Sequence, residues 1–344
     1  MRELDINEDW QLKGDAMAPA VHTPESREVT SRSLAHPAIG VSGLRKSYGS
    51  TLAVKDVSFE VEDGEIFGIL GPNGAGKTTT VECISGLRKP DGGTISVLGL
   101  DPQRDRAALR ERVGVQLQEG TLRWQLTVAE TVHLFASFYP QPAYTEELIE
   151  VLGLGPKRNT YYRRLSGGQK QRLSIALALV GNPQIAILDE LTTGLDPQAR
   201  RETWRLIESV RDRGITILLV THFMDEAERL CNRVAVIDSG RVVALGTPVG
   251  LAEREGGGNH MCFRPSRPFD DRVLTRLAGV DRVEHEGPRM AVSGTGELVN
   301  AVVHALNAVG VEALEVQLDS ATLEDAFLRL VQPSSKGREE VTTP

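Results

Sequence analysis

The sequence predicts an α/β fold. Its parts are a core of buried parallel strands, a small antiparallel β subdomain, a helical insert and a small C-terminal α+β domain. Three observations lead there. Ile66-Phe67-Gly68-Ile69-Leu70 is a short apolar run followed by a glycine-rich loop and a stretch that can continue as a helix from Thr78 to near Gly86. Ile185-Ala186-Ile187-Leu188 is a second such run, ending in Asp189 and Glu190. Ile215 to Val220 is a third, ending in Thr221 and His222. Apolar runs without polar alternation fit strands buried on both faces, as in parallel sheets covered by helices.

The chain divides in order. Residues 1–38 are polar and aperiodic, so they are expected to be disordered. Ile39 to Val61 alternates apolar and polar residues between glycine turns, the pattern of antiparallel strands. The α/β core follows to about residue 255, with a mostly helical insert expected over residues 105–183. Within that insert Thr127-Val128-Ala129-Glu130 is a capping box. Gly256-Gly257-Gly258 reads as a linker. Residues 256–332 mix helix-like and strand-like stretches: helices near Val273–Leu277 and Leu298–Ala308, a strand over Val311–Leu318, and a last helix from Thr322 to Leu330. The tail, 333–344, is polar and expected to be disordered.

Composition narrows the function. A formal charge of −8 argues against a general nucleic-acid binder. No apolar run approaches the roughly 18 residues needed to span a bilayer, and no N-terminal apolar region reads as a secretory signal. Cys83, Cys231 and Cys262 lack C-x-x-C spacing and fit packing residues in a reducing cytosol.

Two phosphate cradles carry the chemistry. Gly71-Pro72-Asn73-Gly74-Ala75-Gly76-Lys77-Thr78 fits G-x-x-x-x-G-K-[ST] in its required strand–loop–helix context. Its backbone N–H groups would curl around a β-phosphate, Lys77 would reach the β/γ oxygens and the Thr78 hydroxyl would ligate Mg²⁺. Leu165-Ser166-Gly167-Gly168-Gln169 opens a helix with the apolar stripe Leu173, Ala176, Leu177 and Val180. Its N–H groups offer a second anion site, or Ser166 is a plain N-cap. Both cradles cannot serve one nucleotide within one chain, so the pair suggests a nucleotide held between two copies.

Asp189 and Glu190 stand at a strand end, where a metal-holding carboxylate and a general base are wanted. The other reading is an exposed acidic turn. His222 either reaches a γ-phosphate or lies at the surface. Tyr48 either stacks on adenine or packs on its sheet.

Together these residues resemble the ATP-binding subunit of ABC transporters, over roughly Ile39 to Pro248. The resemblance implies a P-loop NTPase (RecA-like) core, ATP and Mg²⁺ as ligands, and ATP hydrolysis. It makes Tyr48 the A-loop aromatic, Gly71 to Thr79 Walker A, and Gln118 the Q-loop residue, grouped with the catalytic and metal-binding residues. It makes Ser166, Gly167, Gly168 and Gln169 the signature, Ile185 to Asp189 Walker B, Glu190 the catalytic glutamate, Asp196 part of the D-loop and His222 the switch histidine. Asp196-Pro197 also reads locally as N-cap and first residue of a helix. Leu191 departs from the family's usual Pro, which relaxes φ there. The segments Val220–Glu228, Gly240–Pro248 and Ala321–Leu330 are similar to the ABC-2-type, daunorubicin-resistance group. That implies a separate integral-membrane permease as partner, a second ATP-binding subunit in a homodimer, a place on the cytoplasmic face of the membrane, and a drug, antibiotic or lipid-like cargo. Alternatives are an importer ATPase subunit and a soluble ABC-type ATPase. The latter is disfavoured by a single ATPase unit with no long coiled coil.

Overall fold

The computed structural model describes residues 37–116, 125–255, 259–294, 298–319 and 321–331. The disorder expected of residues 1–38 and 333–344 falls outside these, except at Pro37 and Ala38. Ala38 is buried, and its carbonyl accepts from Leu98 N at 2.8 Å.

Strands β1 (Ile39–Tyr48) and β2 (Thr51–Val61) form an antiparallel hairpin. They turn at Gly49, whose φ of 59° suits a residue without Cβ. Alternation sends Val41, Val54, Val57, Phe59 and Val61 inward. Next come β3 (Ile66–Leu70), α1 (Lys77–Ile84), β4 (Gly92–Val97), α2 (Arg106–Arg110) and β5 (Val113–Gln116). Helices α3 (Val128–Ala136), α4 (Thr145–Val151) and α5 (Gly167–Leu179) follow, then β6 (Ile185–Asp189), α6 (Pro197–Arg211), β7 (Thr216–Thr221), α7 (Met224–Leu230), β8 (Arg233–Asp238), β9 (Arg241–Gly246) and α8 (Pro248–Glu255).

One nine-stranded sheet runs β4-β1-β2-β9-β8-β3-β7-β6-β5. Its β1, β2 and β4 part is antiparallel, and β8, β3, β7, β6 and β5 are parallel. Every residue of β3, β6 and β7 is buried, as continuous apolar runs require. Register brings Leu70 beside Thr221, and Asp189 beside Val220. The three strand ends that carry the glycine loop, the acids and the histidine therefore lie side by side.

Two expectations need correction. Strand β5 falls within the stretch assigned to the helical insert, residues 105–183, yet it pairs in parallel with β6 and belongs to the core sheet. It is four residues long, too short to show a period. The second concerns the last helix. Strands β10 (Asn259–Pro265), β11 (Val280–Glu286), β12 (Arg289–Gly294) and β13 (Ala313–Asp319) form an antiparallel sheet ordered β11-β12-β10-β13. Helices α9 (Arg272–Thr275) and α10 (Leu298–Ala308) help build its core of Met261, Phe263, Leu274, Val292, Val302 and Leu306. Helix α11 (Leu323–Val331), expected within this unit, packs instead on α7 and α8. Leu323, Phe327 and Leu330 join the core of the larger sheet. Leu323 N donates to Glu228 Oε1 of α7 at 2.6 Å.

Candidate functional site

The loop after β3 is shaped by its neighbours. Gly76 sits at φ 103°, and a Cβ there would meet Ala53 O at 2.6 Å. A Cβ on Gly71 would meet Ile237 O at 2.2 Å. Neither position tolerates a side chain, so the loop is held against β2 and β8 with its C-terminal end feeding α1. Lys77, the first residue of α1, is buried, and its Nζ donates to Gly71 O at 2.7 Å and Pro72 O at 3.0 Å. Burial lowers its pKa, opposed by the negative charges of Glu190 and Asp189.

Asp189 ends β6 at 1% exposure. Neither of its carboxylate oxygens finds a hydrogen-bond partner among the described residues. Burial, then the Glu190 charge, pushes its carboxyl up to about 6, while Lys77 pulls it down. A buried carboxylate with unmet acceptors beside a lysine fits a hydrated divalent cation, which would supply the missing partners. The Asp189 N–H donates to Gln116 Oε1 at 3.2 Å, a contact the sequence reading missed.

Glu190 takes φ 49° and donates its N–H to Val220 O at 2.9 Å. That turns its side chain out of the strand line, and Oε1 lies 3.4 Å from His222 Nδ1. The alternative reading, an exposed acidic turn, is not what forms, since the Glu190 side chain is only 11% exposed. Leu191 is fully buried in the core.

Tyr48 reaches the same place from β1. Its hydroxyl lies 3.4 Å from Thr79 Oγ1, and its ring is 41% exposed beside the Arg88 guanidinium, 5.0 Å from the centroid. The strand ends thus bring together Tyr48, Lys77, Thr79, Asp189, Glu190 and His222. Gln118 lies outside the described residues.

The second glycine turn stands elsewhere in the contact pattern. Ser166 caps α5, accepting from Gln169 N at 3.3 Å, while the Gln169 side chain accepts from Ser166 N at 3.1 Å. The N-cap reading therefore holds, and it leaves an anion role open because a capped helix start still presents N–H groups. Cβ atoms added at Gly167 and Gly168 would touch Leu195 and Ala199, at 3.7 and 3.3 Å. Asp196 caps α6, accepting from Gln198 N and Ala199 N at 3.0 and 2.9 Å.

A parallel sheet delivering a glycine cradle, a buried lysine and paired acids to one edge defines a P-loop nucleotide-binding protein. The family described as ABC transporter matches residues 54–193. The Nod factor export ATP-binding protein I of Ralstonia nicotianae is 39% identical over 302 residues, 86% of this chain and 94% of that protein. Its counterpart in Burkholderia orbicola is 47% identical over 225 residues, 64% of this chain and 74% of that protein. Among solved structures, an ATP binding subunit of an ABC transporter superposes with TM-score 0.58 at 30% identity, covering 64% of this chain and 93% of that one. A dimeric ATP-binding cassette in a post-hydrolysis state, bound to ADP and Pi, gives 0.56 at 28% identity, covering 61% and 98%. The chain belongs to the ATP-binding subunits of ABC transporters. It has the ABC ATPase fold and is an ABC transporter ATPase.

Proposed function

We propose that the chain is the ATP-hydrolysing subunit of an exporter, working as a head-to-tail homodimer beneath a separate membrane permease on the cytoplasmic face. The observation that carries the hydrolytic reading is the buried, unpartnered Asp189 carboxylate between Lys77 and the Glu190–His222 pair. Export is supported by the similarity to Nod factor export ATP-binding proteins, and by the segments resembling the daunorubicin-resistance group. A drug, antibiotic or lipid-like cargo follows from that resemblance.

In this reading Gly71 to Thr79 wrap the phosphates, with Pro72, Asn73, Gly74 and Ala75 supplying backbone. Lys77 exchanges its contacts with Gly71 O and Pro72 O for phosphate oxygens. Tyr48 stacks on adenine through its exposed ring. Asp189, the Thr78 hydroxyl and Gln118 hold Mg²⁺, which when bound neutralises phosphate charge. Glu190 takes the proton of the attacking water, and His222 holds the γ-phosphate. Ser166, Gly167, Gly168 and Gln169 close on the partner's nucleotide, and Asp196 lines the seam. Residues 39–255 form the ATPase domain and 256–332 an accessory domain whose last helix docks on the first.

A cleft of about 480 Å³ supports the permease. It is lined by Ile84 of α1, Leu87 just beyond it, Leu109 of α2, Val113 and Val115 of β5, and Phe138 beyond α3. Leu87 and Phe138 are 59% and 69% exposed. An apolar element seated there touches both the nucleotide core and the helical part, so it follows their relative motion.

Glu190→Gln tests the hydrolytic reading. Turnover should fall by about 10²–10⁴, the range for a positioned general base, while ATP binding measured by fluorescence titration persists. Near-normal turnover would remove Glu190 from the role.

A further inference from the structure

Beyond the strand-end cluster, helices α6 and α7 meet along a polar seam that the hydrolytic reading leaves unused. Arg200, Trp204 and Glu208 recur one turn apart on α6. They face Asp225, Glu226 and Arg229 on α7. Arg200 Nη1 lies 3.2 Å from Asp225 Oδ2, Trp204 Nε1 donates to Glu226 Oε1 at 3.0 Å, and Arg229 Nη2 lies 3.3 Å from Glu208 Oε1.

The top rung bears on the site. The Arg200 guanidinium stands 4.3 Å from the centroid of the Phe223 ring. That ring is in turn 4.1 Å from the His222 imidazole, tilted by 37°. His222 Nδ1 faces Glu190 Oε1 at 3.4 Å. A cation over an aromatic face is attracted by the ring quadrupole, so Arg200 restrains Phe223, and Phe223 restrains the imidazole beside it. The other end of Arg200 is equally fixed. Its backbone N–H donates to Asp196 O at 2.9 Å as part of the regular helical ladder of α6, and Cβ atoms on Gly167 and Gly168 would touch the neighbouring Leu195 and Ala199.

We propose that Arg200 is a positioning residue for His222: held by Asp225 and stacked on Phe223, it sets the imidazole against Glu190 and ties that geometry to the Asp196 loop. This rests on the reading of Glu190 and His222 as hydrolytic groups. Arg200 touches neither substrate nor the reacting atoms. Its effect is one of orientation, where displacement by about 1 Å costs as much as about 10²-fold in rate.

The test is a double-variant cycle on the full-length chain, measuring kcat and KM for Mg-ATP, with ATP binding as the folding control. Arg200→Ala should lower kcat by about tenfold or more with KM changed less than about twofold, the pattern of a lost orienting contact. Arg200→Lys should recover part of the loss, since it keeps a cation for Asp225 and Phe223. In a His222→Ala background Arg200→Ala should cost less than about twofold, because the group it positions is gone. The His222 ring resonances, assigned by their absence in His222→Ala, should shift in Arg200→Ala. Unchanged kcat in Arg200→Ala, or losses that multiply in the double variant, would overturn the proposal. If Arg200→Ala does not fold, Arg200→Lys and Asp225→Asn carry the same cycle. Full turnover in His222→Ala would instead sink the hydrolytic reading of that histidine, and the positioning role with it.

Discussion

In the proposed function Lys77 is the residue on which nucleotide affinity turns. Its buried ammonium is satisfied by two loop carbonyls, so Lys77→Ala removes those two hydrogen bonds but also a buried charge whose desolvation opposes them. ATP binding should be lost with the thermal midpoint little changed; normal binding would refute the cradle assignment. Glu226 offers a different residue-level test. It is fully buried, and burial raises its pKa against the pull of Thr221, Thr192 and Trp204 donors. A carboxyl whose folded pKa is raised binds its proton more tightly in the folded state. Its contribution is therefore complete below the unfolded value, near 4.5, and is lost as pH rises through the folded value. Glu226→Gln cannot ionise, so its melting temperature should fall less than wild type over that interval. Parallel melting curves against pH would show that Glu226 stays charged on folding. Lys77, Glu190 and His222 stood out in residue type and spacing, and the structure gathers them at the strand ends. Arg200, Gln116 and Phe223 were not, because their significance lies in contacts between segments far apart in the chain.

Among elements, the buried strands were the most legible. β3, β6 and β7 are largely apolar runs, and the candidate site residues Gly71, Asp189, Glu190 and His222 stand at or just beyond their ends. Helices α3 and α6 announced themselves through Thr127–Glu130 and Asp196-Pro197, and both caps form as the side-chain chemistry dictates. Strand β5 escaped notice because four residues carry no period. The partner of α11 escaped because an amphipathic stripe states that a face must be covered, not by what. The cleft beside α1 and β5 yields a test at this level. Phe138→Asp places a charge on its exposed apolar lip. It should leave nucleotide binding intact, because Phe138 packs on Phe135 of α3 and is 69% exposed. It should abolish co-purification with the partner permease. Undiminished co-purification would move the permease contact elsewhere.

For the whole molecule, the geometry poses one question: why a single chain carries two anion cradles. The first cradle gathers Lys77, Asp189, Glu190 and His222 at the strand ends. The second opens α5 and packs on the Leu195–Ala199 segment. Linkage gives the pair a purpose. ATP can favour a closed dimer only through affinity it gains there, and contacts from the partner's Ser166 to Gln169 would supply that gain. Among the described residues, no helix is long and apolar enough to cross a membrane.

The most direct measurement mixes two inactive variants. Ser166→Arg places a bulky cation where the partner's γ-phosphate would sit, so each monomer should bind ATP yet fail to hydrolyse it. Lys77→Ala should neither bind nor hydrolyse. In a head-to-tail pair of the two, one composite site carries both lesions and the other carries none. The account predicts that the mixture, after subunit exchange, regains a substantial part of wild-type turnover that neither variant shows alone. A mixture as inactive as its parts, with exchange confirmed by subunit labelling, or a Ser166→Arg chain fully active by itself, would contradict the shared-site account.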